Sequence, residues 1–242
     1  MKLEGKTAIV TGGAVRLGQA LALALAGRGA RLVIHYGSSA SQAIETVARI
    51  QAMGAEAVAI QADLRHVDQA QALIARAADH FGQLDVLVNS AAIFKPGSVD
   101  DTTEANWDEH MAINLKAPFF LSQAFAAHVG HERHAHIVNI ADWRAARPTA
   151  HYLAYTLTKA ALVTMTHSLA LALAPNIQVN AIAPGAILPP PGQDQSYLDR
   201  LAQKIPMRRA GSPADVAQAL LFLLDSDFVT GDVIPVTGGE HL

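Results

Sequence analysis

Short apolar runs alternate with longer helical patterns along the whole sequence, and this alternation most strongly limits the folds open to the chain. Uninterrupted runs such as TAIVT at 7–11 and LDVLVN at 84–89 are typical of strands buried on both faces. The patterns between them repeat apolar side chains at helical spacing. The alternation predicts one α/β domain over residues 1–242, a doubly wound parallel sheet of Rossmann type with helices on both faces.

The apolar patterns place the predicted elements along the chain. The predicted strands are 7–11, 32–35, 55–61, 84–89, 135–141, 178–182 and 233–236, and the predicted helices are 16–28, 40–53, 67–81, 104–128, 151–173 and 213–224. One stretch, 184–206, is rich in Pro and Gly and too long for an ordinary connection. Because it follows a strand at the edge where such sheets bind ligands, we expect a substrate lid, with a surface insertion as the alternative.

Composition excludes several classes of function. A formal net charge of −3 offers no basic field for nucleic acid, and the absence of cysteine excludes disulfides and thiolate chemistry. No secretory h-region or membrane-spanning stretch is recognisable, so we expect a soluble cytoplasmic protein. Four histidines close together lack carboxylate partners at ligand spacing, which favours a solvated turn and no metal site: His128, His131, His134 and His136.

The first predicted turn, TGGAVRLG at 11–18, has the composition of a phosphate-binding loop. Gly12 and Gly18 let a pyrophosphate approach the backbone, and the next helix offers unpaired N–H groups. Arg16 lies at the helix start, where a cation opposes the helix dipole unless it meets an anion. We therefore expect Arg16 to bind a cofactor phosphate, with a solvated arginine as the alternative.

The end of the second predicted strand, IHYGSSAS at 34–41, indicates which dinucleotide the chain accepts. An acidic residue there would bind the ribose 2′-hydroxyl of NAD, and none is present. Tyr36, Ser38 and Ser39 offer neutral donors for the 2′-phosphate of NADPH, although either serine alternatively caps the next helix. Asp63, after the third strand, is predicted to bind the adenine amino group or to be a turn residue.

Tyr155 and Lys159 are four residues apart in a predicted helix, so they lie on one face. An ammonium beside a phenol favours the phenolate, which predicts a lowered Tyr155 pKa and proton exchange with a substrate. The alternative is an amphipathic helix that happens to contain both residues.

The motifs occur in a fixed order: TGx₅G, Asp63, LVNSA, Asn114, Tyr155 with Lys159, and NAIAPG. In this order the chain resembles the short-chain dehydrogenase/reductase family from Lys6 to Gly239. The resemblance implies that Tyr155 is the acid/base and that Lys159 holds the nicotinamide ribose. It also implies a water relay at Asn114 and a homotetramer. Further cofactor-binding residues implied by the motif positions are Leu17, His35, Leu64, Asn89, Ser90, Ala91, Pro184, Gly185 and Ile187.

Asp142 stands thirteen residues before Tyr155, where the family has a serine. A carboxylate would repel the oxyanion of a carbonyl reduction, but it suits a substrate with N–H donors or a ring nitrogen that needs a proton. Arg16, Tyr36 and Phe94 are further departures, and together they resemble the pteridine reductase branch. This resemblance implies that Arg16 touches the substrate as well as a phosphate, and that Phe94 stacks on the pterin.

The alternatives are a core role for Phe94 and a turn-capping role for Asp142. Tyr152, one helical turn before the acid/base tyrosine, is expected to add a wall to the same pocket. The sequence therefore predicts an NADPH-dependent pterin reductase, with dihydrofolate as a further candidate substrate. Reduction of a 3-oxoacyl thioester or another carbonyl is the alternative reaction, and a non-catalytic NADP-binding sensor is the alternative of another class.

Overall fold

The computed structural model describes residues 1–190 and 192–242 as one α/β unit. Its strands are β1 (Thr7–Val10), β2 (Arg31–Tyr36), β3 (Ala57–Gln61), β4 (Val86–Asn89), β5 (Ala135–Ile140), β6 (Ile177–Pro184) and β7 (Val233–Val236). Its helices are α1 (Arg16–Ala26), α2 (Ala40–Ala52), α3 (Val67–Phe81), α4 (Glu104–Met111), α5 (Ala117–Val129), α6 (Leu153–Leu173), α7 (Gln195–Ala202) and α8 (Pro213–Asp225).

All neighbouring strands are parallel, in the order β3-β2-β1-β4-β5-β6-β7. The chain runs outward from β1 to β3 and then crosses back to place β4 on the other side of β1. The strand order therefore reverses between β1 and β4, at the point where ligands bind in open α/β sheets. The predicted doubly wound fold is confirmed.

Two apolar clusters cover the two faces of the sheet. Because successive strand residues point to opposite faces, Ala8 and Val10 of β1 join the cluster that contains Leu21 of α1 and helix α8. Ile9, between them, joins the cluster that contains Phe125 of α5 and helix α3. Burial on both faces explains why the inner strands are rich in apolar residues and why their positions were predictable.

The predicted helix at 104–128 is three segments, because a π-helical turn at Ala112–Lys116 separates α4 from α5. Pro118 has no backbone N–H to donate to the carbonyl four residues earlier, which favours the wider turn. Asn114 is buried within this turn. Its Oδ1 accepts from the Ile93 N–H at 2.9 Å and its Nδ2 donates to the Ile93 oxygen at 3.0 Å.

The predicted lid at 184–206 begins on the last residue of β6 and contains helix α7, so it is more regular than its composition suggested. Asp194 caps α7 by accepting from the Ser196 N–H at 3.0 Å, and Leu198 is buried. Arg16 donates to the Pro189 carbonyl at 2.7 Å and thereby ties the glycine-rich turn to this segment. Pro191 of the predicted lid lies outside the described residues.

The histidine-rich segment is only partly the solvated turn that the sequence predicted. His136 lies on β5 and is buried, and burial lowers the pKa of His136 to about 4. Within residues 1–190 and 192–242, the histidines and acidic residues form no group of three or more that could hold a metal ion. Helix α6 is long and apolar enough to cross a membrane by length and composition, but it packs on β6 and carries the buried Lys159.

Gly18 offers a test of the tight packing in the first turn. A Cβ at Gly18 would collide with the Gly12 carbonyl and lie 3.1 Å from the Gly13 Cα. We expect Gly18→Ala to lower the free energy of unfolding by about 1–3 kcal/mol, measured by urea denaturation. Gly37→Ala is the matched control, since nothing lies within 4 Å of a Cβ there. Equal unfolding midpoints for the two variants would contradict this packing.

Candidate active site

Two adjoining cavities open at the carboxyl ends of the strands. The glycine-turn cavity, about 410 Å³, lies between Gly12, Gly18, Ser38 and Asp63. The Tyr155 cavity, about 240 Å³, is lined by Asp142, Tyr155 and Lys159 among others. The two cavities share four lining residues: Arg16, Leu17, Ser90 and Ala92. A long ligand that fills the first cavity would therefore reach the second.

His35 lines the glycine-turn cavity and is hydrogen bonded to the backbone of the glycine turn. The Gly12 N–H donates to His35 Nδ1 at 3.0 Å, so the ring proton must lie on Nε2, which is 3.0 Å from the Ala62 carbonyl. Burial lowers the pKa of His35, and the hydrogen bond to Ala62 offsets this only in part. A neutral His35 therefore joins the ends of β1, β2 and β3 and fixes the glycine turn.

The structure brings most of the predicted cofactor residues together. The glycine-turn cavity is lined by Gly12, Arg16, Leu17, Gly18, His35, Ser38, Ser39, Asp63, Leu64, Ser90 and Ala91. Lys159 lines the Tyr155 cavity with Pro184, Gly185 and Ile187. Two predicted residues line neither cavity: Tyr36, and Asn89, whose buried side chain donates to Asn139 Oδ1 at 2.9 Å. The Asn89 amide thus holds β4 to β5, and cofactor binding by Tyr36 and Asn89 stays a prediction.

The contacts of Ser39 and Asp63 bear on two alternatives in the glycine-turn cavity. Ser39 precedes α2, but its side chain makes no capping hydrogen bond, so its hydroxyl does not serve as a helix cap. Asp63 binds Arg65 through two oxygens, with Nη2 and Oδ2 2.5 Å apart. This hydrogen bonding lowers the pKa of Asp63 to about 2, so a carboxylate faces the cavity at neutral pH. An adenine amino group would have to share that carboxylate with Arg65.

Tyr155 and Asp142 are directly hydrogen bonded. Asp142 precedes the 3-10 turn Trp143–Ala145, and Tyr155 lies in the first turn of α6. The Tyr155 hydroxyl donates to Asp142 Oδ2 at 2.8 Å, while Asp142 Oδ1 accepts from the Arg144 N–H at 2.8 Å. Asp142 therefore caps a turn and also contacts the phenol, and its part in catalysis stays a prediction.

The predicted direction of the Tyr155 pKa is wrong. Burial, followed by the charge of Asp142 and its hydrogen bond, raises the pKa of Tyr155 well above its ordinary value. Lys159 does not counter this, because its ammonium donates to the Ile140 carbonyl at 2.6 Å and lies 5.7 Å from the Tyr155 ring centroid. Tyr155 is consequently a neutral phenol at physiological pH, equipped to donate a proton.

Asn114 reaches the site only through other residues. Its Nδ2 lies 3.3 Å from Thr158 Oγ1, and the Thr158 hydroxyl donates to the Tyr155 carbonyl at 2.7 Å. Asn114 lines neither cavity. The contacts hold the start of α6 in place, and the water relay at Asn114 stays a prediction.

Phe94 lines the Tyr155 cavity, as predicted, but Tyr152 does not. The Tyr152 ring stacks on Phe94 with centroids 4.2 Å apart and an interplanar angle of 8°. The Tyr155 ring meets Phe94 edge-on at 4.7 Å. Tyr152 therefore supports Phe94 and covers one of its faces, and direct substrate contact by Tyr152 stays a prediction.

Two charged residues that line the Tyr155 cavity, Arg144 and Glu240, were not among the predicted site residues. Arg144 lies with Nη1 3.3 Å from Asp142 Oδ1 and its guanidinium carbon 5.6 Å from the Phe94 ring centroid. Glu240 enters from the turn after β7 and accepts from the Ala186 N–H at 2.9 Å. Its position after the last parallel strand, at the ligand-binding edge, was the only sequence signal available for it.

Lys159 allows a test of the charge buried in this site. Its side chain is only 3% exposed, and burial lowers the pKa of Lys159 from 10.5 to about 8. The folded state thus binds this proton less tightly than the unfolded chain. The buried ammonium therefore lowers the free energy of unfolding. This loss is full below about pH 8 and falls to zero as the pH rises toward 10.5.

We expect Lys159→Met to raise the free energy of unfolding at pH 7 by about 1–3 kcal/mol, after allowing for the hydrogen bond lost at Ile140. Urea denaturation should show a smaller gain at pH 10 than at pH 7. Lys116→Met, at an exposed position, is the matched control and should change neither value. A gain for Lys159→Met that does not vary with pH would contradict the buried-charge explanation.

Comparison with known proteins identifies the family. A family model described as enoyl-(acyl carrier protein) reductase matches residues 13–241. The chain is 36% identical to 2-dehydro-3-deoxy-D-gluconate 5-dehydrogenase of Escherichia coli, over 98% of the chain and 96% of that protein. It is 33% identical to the 3-oxoacyl-acyl-carrier-protein reductase FabG of Staphylococcus epidermidis, over 98% and 99%.

A solved structure agrees with the fold over nearly the whole chain. It is FolM alternative dihydrofolate reductase 1 from Brucella canis complexed with NADP, with a TM-score of 0.94 and 34% identity, covering 99% of this chain and 95% of that one. Sequence and structural similarity thus agree from end to end, and the protein belongs to the short-chain dehydrogenase/reductase family.

Proposed function

We propose that this protein reduces a dihydropterin to the tetrahydropterin with NADPH. The observation that carries the proposal is the hydrogen bond from the Tyr155 phenol to the Asp142 carboxylate. The reaction adds a hydride to the carbon of a ring C=N bond and a proton to its nitrogen. NADPH, when bound, supplies the hydride, and the phenol supplies the proton and is reprotonated from solvent along Asp142.

The predicted cofactor, NADPH, is confirmed by solved structures of the family that contain NADP. The residues of this chain fit it. Ser38 and Ser39 line the glycine-turn cavity, and that end of β2 carries no acidic residue to repel a 2′-phosphate. A Cβ at Gly18 would collide with the Gly12 carbonyl, so glycine there permits the tight turn beside this cavity. Arg16, which lines both cavities, would neutralise phosphate charge.

The charges around Tyr155 favour reduction of C=N over reduction of C=O. An oxyanion that develops beside the Tyr155 hydroxyl would lie close to the Asp142 carboxylate and be repelled. A ring nitrogen is basic enough to be protonated before or during hydride addition, so the C=N bond is reduced without an anion developing beside Asp142. Tyr155, held as a phenol by its raised pKa, is suited to donate that proton.

Phe94 and the structural similarity support a flat heterocyclic substrate. Phe94 presents aromatic surface to the Tyr155 cavity beside Asp142. The solved structure with a TM-score of 0.94 is named as an alternative dihydrofolate reductase, and dihydrofolate contains a dihydropterin ring. Dihydrofolate is therefore a further candidate substrate for this chain.

Carbonyl reduction is the second candidate, supported by the similarity to FabG and by one contact at the site. Arg144 Nη1 lies 3.3 Å from Asp142 Oδ1 and partly neutralises the carboxylate that would oppose an oxyanion. A 3-oxoacyl thioester is the carbonyl substrate to test. A non-catalytic NADP-binding sensor is the third candidate, but it would have no use for Asn114, Tyr155 and Lys159 together.

We further propose that the protein is a cytoplasmic homotetramer. Helices α5 and α6 expose apolar side chains, with Phe119 39% and Leu157 42% exposed. Association of subunits through these helices would cover that surface.

Oxidation of NADPH followed at 340 nm should separate the three candidates. We expect turnover with dihydrobiopterin or dihydromonapterin, and more weakly with dihydrofolate. Turnover of acetoacetyl thioester alone would contradict the pterin proposal. Tight NADPH binding without turnover of any compound would favour the sensor.

Asp142→Ser tests the contribution of the carboxylate. We expect kcat/KM for the dihydropterin to fall about a hundredfold, because the proton path loses its acidic member. The Kd for NADPH should stay within about twofold, since Asp142 does not line the glycine-turn cavity. Asp79→Ser, on the exposed face of α3, is the matched control. Unchanged pterin turnover in Asp142→Ser would show that Asp142 is incidental.

A further inference from the structure

Glu240 is placed in the Tyr155 cavity by the turn that follows β7. Gly238 and Gly239 have positive φ angles of 62° and 91°, a backbone conformation that reverses the chain. The Gly238 carbonyl accepts from the Met207 N–H at 3.1 Å, and the Glu240 N–H donates to the Thr237 carbonyl at 3.2 Å. These contacts fix the turn and direct Glu240 back toward the lid segment.

The Glu240 carboxylate has one oxygen engaged and one available. Oε2 accepts from the Ala186 N–H at 2.9 Å. Within residues 1–190 and 192–242, no hydrogen-bond donor reaches Oε1. The side chain is half-buried and lines the same cavity as Phe94 and Asp142. An acceptor that is only partly hydrated and lacks a protein donor gains free energy when a ligand supplies an N–H group.

The nearby charges distinguish Glu240 from Asp142. Asp142 is already occupied by the Tyr155 hydroxyl and by Arg144. Burial raises the pKa of Glu240; the Ala186 N–H and the charge of Arg144 lower it, and the charge of Asp142 raises it. Arg144 is ion-paired with Asp142, and its charge also acts on Glu240. A ligand N–H would relieve this shortage of donors, whereas a ligand oxygen in the same place would add repulsion.

We propose that Glu240 is a specificity-determining residue, whose carboxylate accepts a hydrogen bond from an amino group or adjacent ring N–H of the substrate. The chemistry that fits is an aminopyrimidine edge, in which neighbouring N–H groups match a carboxylate. This inference rests on the proposed pterin reaction for the identity of the ring. Glu240 then makes the protein bind amino-substituted heterocycles more tightly than oxo-substituted ones.

A purely structural role for Glu240 is separable from recognition. Glu240→Gln retains a side-chain oxygen that accepts from the Ala186 N–H, so the lid segment keeps its contact. The substitution removes the negative charge that attracts the donor edge of the ligand. Glu240→Asp keeps the charge on a shorter side chain and serves as the second variant.

Calorimetric titration of the NADP-loaded protein tests the inference with two pteridines. One is 2-amino-4-oxopteridine, and the other is 2,4-dioxopteridine, which places a carbonyl oxygen where the first has its amino group. We expect the wild type to bind the amino compound at least about tenfold more tightly. Glu240→Gln should reduce this preference to about twofold or less, with an unchanged Kd for NADP. Glu240→Asp should retain part of the preference.

Glu132→Gln, an exposed position, is the matched control and should keep the wild-type ratio. Equal binding of the two pteridines by the wild type, or an unchanged ratio in Glu240→Gln, would overturn the inference. The proposed reaction is judged separately, by NADPH oxidation with dihydropterins. If the binding preference depends on Glu240 but no dihydropterin is turned over, the recognition by Glu240 is supported and the proposed reaction is overturned.

Discussion

The hydrogen bond from the Tyr155 phenol to the Asp142 carboxylate is the interaction around which the active site is arranged. It joins the end of β5 to the start of α6, the two elements that form one wall of the Tyr155 cavity. Arg144 compensates the Asp142 charge, and Lys159 is anchored to the Ile140 carbonyl at the end of the same strand. Burial and the Asp142 charge raise the pKa of Tyr155 more than the charge of Arg144 lowers it, so the phenol keeps its proton and proton donation is the chemistry that the cavity favours.

The same arrangement costs stability. Lys159 is buried, and the folded chain holds its proton less tightly than the unfolded chain does. The neutral Tyr155 phenol, the Asp142 carboxylate and the half-buried Glu240 are further polar groups in the same small cavity. The two apolar clusters on the faces of the sheet offset these costs, because they bury whole strands on both sides.

Sequence patterns predicted the fold well because short, largely apolar strands alternate with helices, and burial of the inner strands on both faces requires apolar side chains at successive positions. They missed the π-helical turn at Asn114, since a missing proline N–H alters the helical repeat without changing the apolar pattern. They also missed helix α7, whose surrounding prolines and glycines indicated a loop.

Within the site, spacing placed Tyr155 and Lys159 on one helical face but gave no information on where the ammonium points. The Ile140 carbonyl binds it, and burial together with the Asp142 charge then raises the pKa of Tyr155. Glu240 belongs to no short motif, so only the return of the last turn to the cavity reveals it. Tyr152 matched the helical spacing, yet its ring packs behind Phe94.

Ultraviolet titration of tyrosine ionisation tests the central claim most directly. The difference between the wild type and Tyr155→Phe isolates the absorbance of the Tyr155 phenolate. We predict no ionisation of Tyr155 between pH 6 and pH 9, and a lower Tyr155 pKa in Asp142→Asn, where the neighbouring charge is removed. A wild-type Tyr155 that ionises near neutral pH would contradict the account, because the site would then hold a phenolate poised to accept a proton.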